Sequence, residues 1–327
     1  MLGLAFEEPG GATVDEGSAS VTKSDGLGPV AARVVDGSPT LLLVVVTGLW
    51  VLPSMGAFVA SLRPWGHSQT SGWWTDLLNP ATWTLDAYRA ALHASANNSF
   101  VEAMFNSFAI AIPATVIPLF LASWAAYALV WIPFRGRGVV FAGIVALIAV
   151  PIFSVLIPLL QAYSSGVHLT VPVVQKTVTL FPDLNLAGTL PAVWLTHIGS
   201  TLPFSIFLLV FAMARLPRSL VDNARVDGAS DVQVYWRVVV PLLTPALAAL
   251  AALLFVWSWT DFVIALTMIG GTNPSALPAT VKLGSIGAFV DGPAVLAGLF
   301  IHSIVSIVVL LGLFRRYFVR GLLTGVE

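Results

Sequence analysis

The sequence predicts an all-α polytopic membrane protein with six transmembrane helices, and three observations predict it. Hydrophobic residues make up 57% of the 327 and charged residues only 9%, against about a quarter charged in soluble domains. Six windows are each apolar enough, over about 20 residues, to cross about 30 Å of hydrocarbon as a helix. One polar island, RLPRSLVDNARVDGASDVQVYWRVVVP at 215–241, separates the fourth window from the fifth and carries the marks of two short helices. The chain has no cysteine, which excludes disulfides, thiolate metal sites and cysteine nucleophiles.

Residues 1–38 are rich in Gly, Ser, Asp and Val without a sustained period, and are expected to form a disordered tail. They lack the basic start and short apolar stretch of a signal peptide. The membrane domain is expected over 39–327, with its core at 102–318. The six windows lie at 40–62, 106–132, 139–162, 187–214, 242–269 and 295–314. Several contain proline (Pro53, Pro113, Pro118, Pro151, Pro158, Pro191, Pro203 and Pro245). Membrane helices tolerate it where neighbours satisfy the freed carbonyls, as packing kinks or as hinges.

The stretch from 63 to 105 forms one long loop between the first two windows. Its Trp65, Trp73, Trp74 and Trp83 suggest an interfacial aromatic belt. Thr84 or Asp86 is placed to cap a short helix there. The loop reads equally as a docking surface or as the closure of the bundle. Lys and Arg fix the orientation. With the N-terminus inside, Lys23, Arg33, Arg135, Arg137, Arg215, Arg218, Arg225, Arg237, Arg315, Arg316 and Arg320 lie on the inner side. Only Arg63, Arg89, Lys176 and Lys282 of the 15 lie outside. Both termini and the island are therefore expected in the cytoplasm.

Within the island, Pro217 suits a first helical turn, where its missing N–H costs nothing. Arg218 to Val226 continues as a helix, with Leu220, Val221 and Ala224 as a small apolar face. Asp227-Gly228 stops it, because glycine takes the left-handed conformation of a tight corner. Ser230-Asp231-Val232-Gln233 matches a capping box that opens a second helix, and Asp231 suits the helix dipole. Val234, Tyr235 and Val238 form its apolar side, and Pro241 and Pro245 bracket the start of the fifth window. A helix pair this short needs a partner surface.

These residues carry a resemblance. VDNARVDGASDVQVYWRVVVPLLTPAL resembles the EAA loop of permeases in binding-protein-dependent ABC importers. Asp222-Asn223-Ala224 stands for the EAA triplet, followed by Asp227-Gly228-Ala229, Tyr235 and Val240-Pro241. Asp222, Asn223 and Val240 depart from the family's Glu, Ala and Leu. Beyond the loop, Asn106-Ser107-Phe108, the run Ala125-Ala126-Tyr127-Ala128-Leu129, Phe134-Arg135-Gly136-Arg137, the stretch 202–208 and Trp257-Ser258-Trp259-Thr260-Asp261-Phe262 resemble spans two, four and five of carbohydrate-type permeases. Leu186-Ala187-Gly188-Thr189-Leu190 resembles glucose/mannose-type members. The resemblance covers about 84–318 and implies the type I importer fold, in the second-permease branch of maltose- and glucose-type systems. It further implies that 215–241 is a coupling loop seated in a cytoplasmic ATP-binding subunit dimer, with Arg218, Asp222, Ala224, Asp227, Gly228, Ala229, Tyr235, Arg237 and Pro241 as its coupling residues. The implied partners are that dimer, a second permease, an extracytoplasmic solute-binding protein and membrane lipid, with no nucleic acid. ATP and Mg2+ would be used by the partner subunit, and this chain would bind no cofactor.

Ionisable residues inside spans are functional candidates, and His197, Asp261 and His302 qualify. Along a straight helix, Asp261 would lie about 24 Å beyond Pro245. Trp257, Trp259, Thr260 and Asp261 read either as a sugar-contact or gating site on the substrate pathway or as a packing cluster. His197 and His302 read as interhelical hydrogen-bond partners. No GxxxxGK[ST], HExxH or GxSxG occurs, so the energy for transport is expected from another polypeptide. The expected function is ATP-driven import of a sugar. Glycerol phosphate or a polyamine is the alternative within importers. A secondary transporter would need several intramembrane acids and inverted repeats, where only Asp261 is evident. An embedded enzyme would need a clustered catalytic set, which the spacing of Asp261, His197 and His302 does not suggest.

Overall fold

The computed structural model describes residues 29–77, 79–93, 100–171, 176–286 and 288–323. The chain divides into two units, 1–55 and 56–327. In the first, the tail expected over 1–38 lies outside the described residues as far as position 28. From Pro29 the chain is already helical, so α1 (Pro29–Ser61) begins ahead of its apolar window.

The second unit contains the end of α1 and a series of helices. The connection after α1 carries α2 (Trp65–Thr70) and α3 (Asp86–His93). Its organiser is Arg63, almost fully buried, whose guanidinium reaches the Asp76 carboxylate, the His67 and Ser71 carbonyls and the Ser71 hydroxyl. The outside charge expected at Arg63 is therefore an internal clasp. Neither expected cap serves α3. Thr84 spends its backbone N–H on the Leu62 carbonyl, and its hydroxyl has no partner among the described residues. Asp86 stands in the first turn, 3.0 Å from Arg89.

The second span is α4 (Phe100–Trp131), with Pro113 and Pro118 inside it. The third window is not one helix. α5 (Arg137–Ile148) and α6 (Ile152–Ser165) meet at 98°. Pro151 removes a donor and pushes Val150 out of the helical region, so the last turn of α5 tightens onto the Ala146 and Leu147 carbonyls instead. A two-stranded antiparallel hairpin, β1 (Val167–Val171) and β2 (Lys176–Phe181), follows and adds to the all-α expectation. Its residues are rich in Val and Thr, whose branched side chains suit a pleated surface.

The fourth span, α7 (Leu190–Ala214), packs most extensively against α4. The loop then forms α8 (Arg218–Val226) and α9 (Asp231–Val234). α10 (Val240–Trp259), α11 (Val263–Ile269), α12 (Ala279–Ile286) and α13 (Ala288–Leu323) complete the chain. Among the described residues, five helical stretches are long and apolar enough to cross a membrane, and six if the bent α5–α6 pair counts as one span. The fifth window, expected to run to 269, ends as a helix at Trp259. Around the short segment 270–279, span two acts as a tether. Asn106 donates to the Ser275 and Leu277 carbonyls, and the Ser107 hydroxyl accepts from the Ala279 amide. The resemblance pointed to Asn106-Ser107 without giving them a task.

Candidate functional site

Two regions hold the residues singled out from the sequence. The first is the corner between α8 and α9. α8 ends at Asp227 and Gly228 follows at φ +85°. The Gly228 amide donates to the Arg225 carbonyl and the Ala229 amide to the Ala224 carbonyl, each at 3.0 Å. This pair of bonds is the Schellman closure, which satisfies the last carbonyls of a helix through a left-handed glycine. Ser230 then caps α9. Its hydroxyl accepts from the Gln233 amide, and the Gln233 side chain accepts from the Ser230 amide at 2.9 Å, so both halves of the capping box form.

The second helix is not a separate short element. It runs through a π-helical turn, Tyr235–Val239, straight into α10. The Val240 amide reaches the Tyr235 carbonyl, five residues back. Pro241 explains the wide turn, because its ring would clash with the carbonyl four residues before it and it has no N–H to donate. α8 and α9 therefore form a lever on the end of the fifth span.

The lever's inner face is buried on its own chain. Val221, Val234, Tyr235 and Val239 join Tyr127, Leu129 and Trp131 of α4 and Met213 of α7 in one apolar cluster. Leu220, expected on that face, is exposed instead. Tyr235 is 2% exposed, stacks on Trp124 at 4.1 Å between ring centres, and its hydroxyl lies 2.6 Å from Ser123 Oγ. It is an anchor of the loop and cannot itself reach a partner. Asp231 Oδ1 accepts from Arg225 Nη2 at 2.8 Å and from the Tyr127 hydroxyl at 3.2 Å. Arg225 Nη2 also donates to the Trp131 carbonyl at 3.3 Å, capping the end of α4. The hydrogen bond to Asp231 raises the Arg225 pKa above its ordinary value, so the guanidinium stays charged. Arg218, Asp222, Asp227, Gly228 and Arg237 are exposed, Ala224 and Ala229 are half-buried, and Val226 at the tip is 86% exposed. The resemblance pointed to Tyr127 without giving it a task, and sequence reasoning did not bring out Ser123 and Trp131. Their signal is the four-residue spacing, which puts all three on one stripe of α4.

The second region is the break after α10. Asp261 accepts from the Ile264 amide at 3.2 Å and the Ala265 amide at 2.9 Å, satisfying the first free donors of α11. The Thr280 hydroxyl donates to its carbonyl. The distance reckoned along a straight helix from Pro245 therefore does not apply, because the helix stops before Asp261. Trp259 is packed inside the chain and borders neither the cleft nor the cavity next to Trp257. It is 1% exposed and stacks on His302 at 4.7 Å. Trp259 Nε1 donates to the His302 carbonyl, and His302 Nε2 lies 3.2 Å from the Trp259 carbonyl, a free acceptor at the helix end. The interhelical bond expected of His302 is thus present. His197, wholly buried on α7, makes none among the described residues, and its Nε2 lies 3.7 Å from Asp261 Oδ2.

Trp257 is half-exposed and, with Thr260 and Asp261, borders a shallow cleft that also takes in Phe153. It also lines an adjoining cavity of about 490 Å3 inside the α5–α6 bend, with Tyr163, Thr196, Ser200 and Thr201 contributing hydroxyl groups. The cavity, bounded by α5, α6, α7 and α10, and the adjoining cleft together form a recess beside the break in the fifth span.

The helical membrane domain thus carries a broken span beside a recess and a folded helix pair at the foot of span five. Residues 118–323 match the family described as "Binding-protein-dependent transport system inner membrane component". The chain belongs to this family of ABC importer permeases, which are membrane subunits and are not themselves catalytic. It is 40% identical over 292 residues to the "Osmoprotective compounds uptake permease protein GgtD" of Synechocystis sp., covering 87% of this chain and 90% of the relative. It is also 40% identical over 249 residues to the "Alpha-glucoside transport system permease protein AglG" of Rhizobium meliloti, covering 75% of this chain and 60% of that one. Among solved structures, it matches one described as a bacterial ABC transporter involved in import of the acidic polysaccharide alginate. That match has a TM-score of 0.68 at 19% identity and covers 89% of this chain and 99% of the other, so the fold is shared.

Proposed function

We propose that this chain is the permease subunit that carries a sugar, delivered by an extracytoplasmic solute-binding protein, through an ATP-driven importer. The observation that carries the reading is the lever: a corner closed by backbone bonds at the end of α8 and by a capping box at the start of α9, exposed at its tip and continuous with span five. Arg218, Asp222, Asp227, Gly228 and Arg237 lie on its open surface, where an ATP-binding subunit dimer would seat, and that subunit would use ATP and Mg2+. The charge bias supports a cytoplasmic corner and cytoplasmic termini.

The recess supports a neutral polyhydroxylated solute. Among the described residues, the cavity inside the bend is lined mainly by Leu, Ile and Val side chains, with the hydroxyls of Tyr163, Thr196, Ser200 and Thr201, the rings of Phe204 and Trp257, and no charged side chain. A glycerol phosphate would need a cation there. A polyamine would need a free carboxylate, whereas Asp261 is occupied by two amides. One of the two relatives is named for α-glucoside transport, which supports a sugar. The face around Trp257, Thr260 and Asp261 also supports a second permease as partner. Irregular backbone and a carboxylate at membrane depth persist only against protein or a water-filled path.

The test is uptake and ATPase stimulation by the reconstituted complex over a panel of α-glucosides, other sugars, glycerol phosphate and spermidine. ATP-dependent sugar uptake is expected. Uptake driven by a proton gradient without ATP, or of glycerol phosphate alone, would overturn the proposal.

A further inference from the structure

The corner meets the rest of the chain through a ladder on α4. Ser123, Tyr127 and Trp131 lie four residues apart on one stripe. They face Tyr235, Asp231 and Arg225 in reverse order, at 2.6, 3.2 and 3.3 Å. Arg225 and Asp231 tie the second and third rungs together at 2.8 Å. Among the described residues, every side-chain hydrogen bond between the corner (218–239) and another helix ends on α4. The chain itself continues from the corner into α10, so covalent continuity and the ladder lead to different spans.

We propose that Tyr127 is a positioning residue of the coupling machinery: with Asp231 and Arg225 it locks the corner to the end of span two, so that a displacement of the corner moves spans two and five together. This rests on the proposed role of the corner as the coupling loop. The physical reason is the partition of contacts. The apolar cluster under the corner is non-directional and tolerates sliding. The hydroxyl–carboxylate bond, 3.2 Å long, is directional and fixes the register between Tyr127 and Asp231. The wide π-helical turn at Tyr235–Val239 lies between the corner and α10. Without the ladder, that turn would absorb part of any displacement.

Tyr127→Phe keeps the buried ring and deletes the rung. In the full complex reconstituted into vesicles, assembly and ATPase activity should persist, while solute carried per ATP hydrolysed falls about fivefold, the scale of one ordinary hydrogen bond. A merely structural defect would lower assembly, ATPase and uptake together. Asp231→Ala combined with Tyr127→Phe should be no worse than the more severe single variant. Unchanged solute carried per ATP in Tyr127→Phe, or fully additive losses, would overturn the proposal. A second measurement is independent of the solute. Because the chain has no cysteine, spin labels can be placed at Val232→Cys, exposed on α9, and Leu121→Cys in the assembled complex. Their distance should stay constant with and without ATP, and broaden in Tyr127→Phe. A distance that changes with nucleotide in the otherwise native chain would refute the locked unit, even if the transported solute proved not to be a sugar.

Discussion

Gly228 is the position where a single methyl group tests the corner most directly. Its φ of +85° lies in the left-handed region, while a Cβ added there would meet no atom within 4 Å. The penalty for Gly228→Ala is therefore purely conformational, about 1–2 kcal/mol. That corresponds to roughly a 5- to 30-fold loss in the population of closed corner. Asn tolerates the left-handed region better than other residues, so Gly228→Asn should recover much of the loss. Val, branched at Cβ, should be worse than Ala. The assay is hydrogen exchange at the Gly228 and Ala229 amides, which carry the two closing bonds, alongside co-purification of the ATP-binding subunit. Exchange should rank Gly, Asn, Ala, Val from slowest to fastest, and retention of the subunit should fall in that order. Equal exchange for Ala and Asn, or a Val variant as protected as the native chain, would refute the backbone argument. A ranked exchange with unchanged subunit retention would leave the corner's geometry intact and remove its role in docking.

Other residues give separate outcomes. Arg63→Leu strands the buried Asp76 carboxylate and should destabilise the chain by about 3–5 kcal/mol, whereas Arg63→Leu with Asp76→Leu should recover most of it in thermal unfolding in detergent. His302→Phe keeps a ring against Trp259 but leaves the Trp259 carbonyl unpaired, for a loss of about 1–3 kcal/mol by the same measurement. Asp261→Asn keeps one strong acceptor for the α11 amides and should reduce uptake modestly. Asp261→Leu leaves both amides unpaired and should abolish uptake at normal expression. Ser230→Ala removes half of the capping box and should cost about 1 kcal/mol, read as faster exchange at the Gln233 amide.

What could be read in advance was local. The capping box lies within four residues and the Asp227-Gly228 stop within two, so residue type alone nearly dictates both. The apolar windows followed from composition, but hydropathy averages carry no direction. They could not distinguish a straight third span from two helices turned by 98° at Pro151. The hairpin between spans three and four was missed because its short strands lie in a chain that is 57% hydrophobic, where an apolar run is no distinctive signal. Tyr235 shows the deeper reason. Its aromatic ring after a conspicuous loop suggested a contact for another subunit. Its partner Ser123 is 112 residues away, and that of Asp231, Tyr127, is 104 residues away. No pattern inside the loop could reveal which face was already occupied. The same holds for Asp261, whose carboxylate is taken by the amides of the next helix once the chain breaks at Thr260. In both places the polar residue that attracts notice is engaged within its own chain, and the surface left for others is set by its exposed neighbours: Val226, Asp227 and Gly228 at the corner, Trp257 and Thr260 at the recess. The docking and transport chemistry of this permease should therefore respond more sharply to substitutions at those neighbours than to conservative changes at Tyr235 or Trp259, whose effects should appear first in stability.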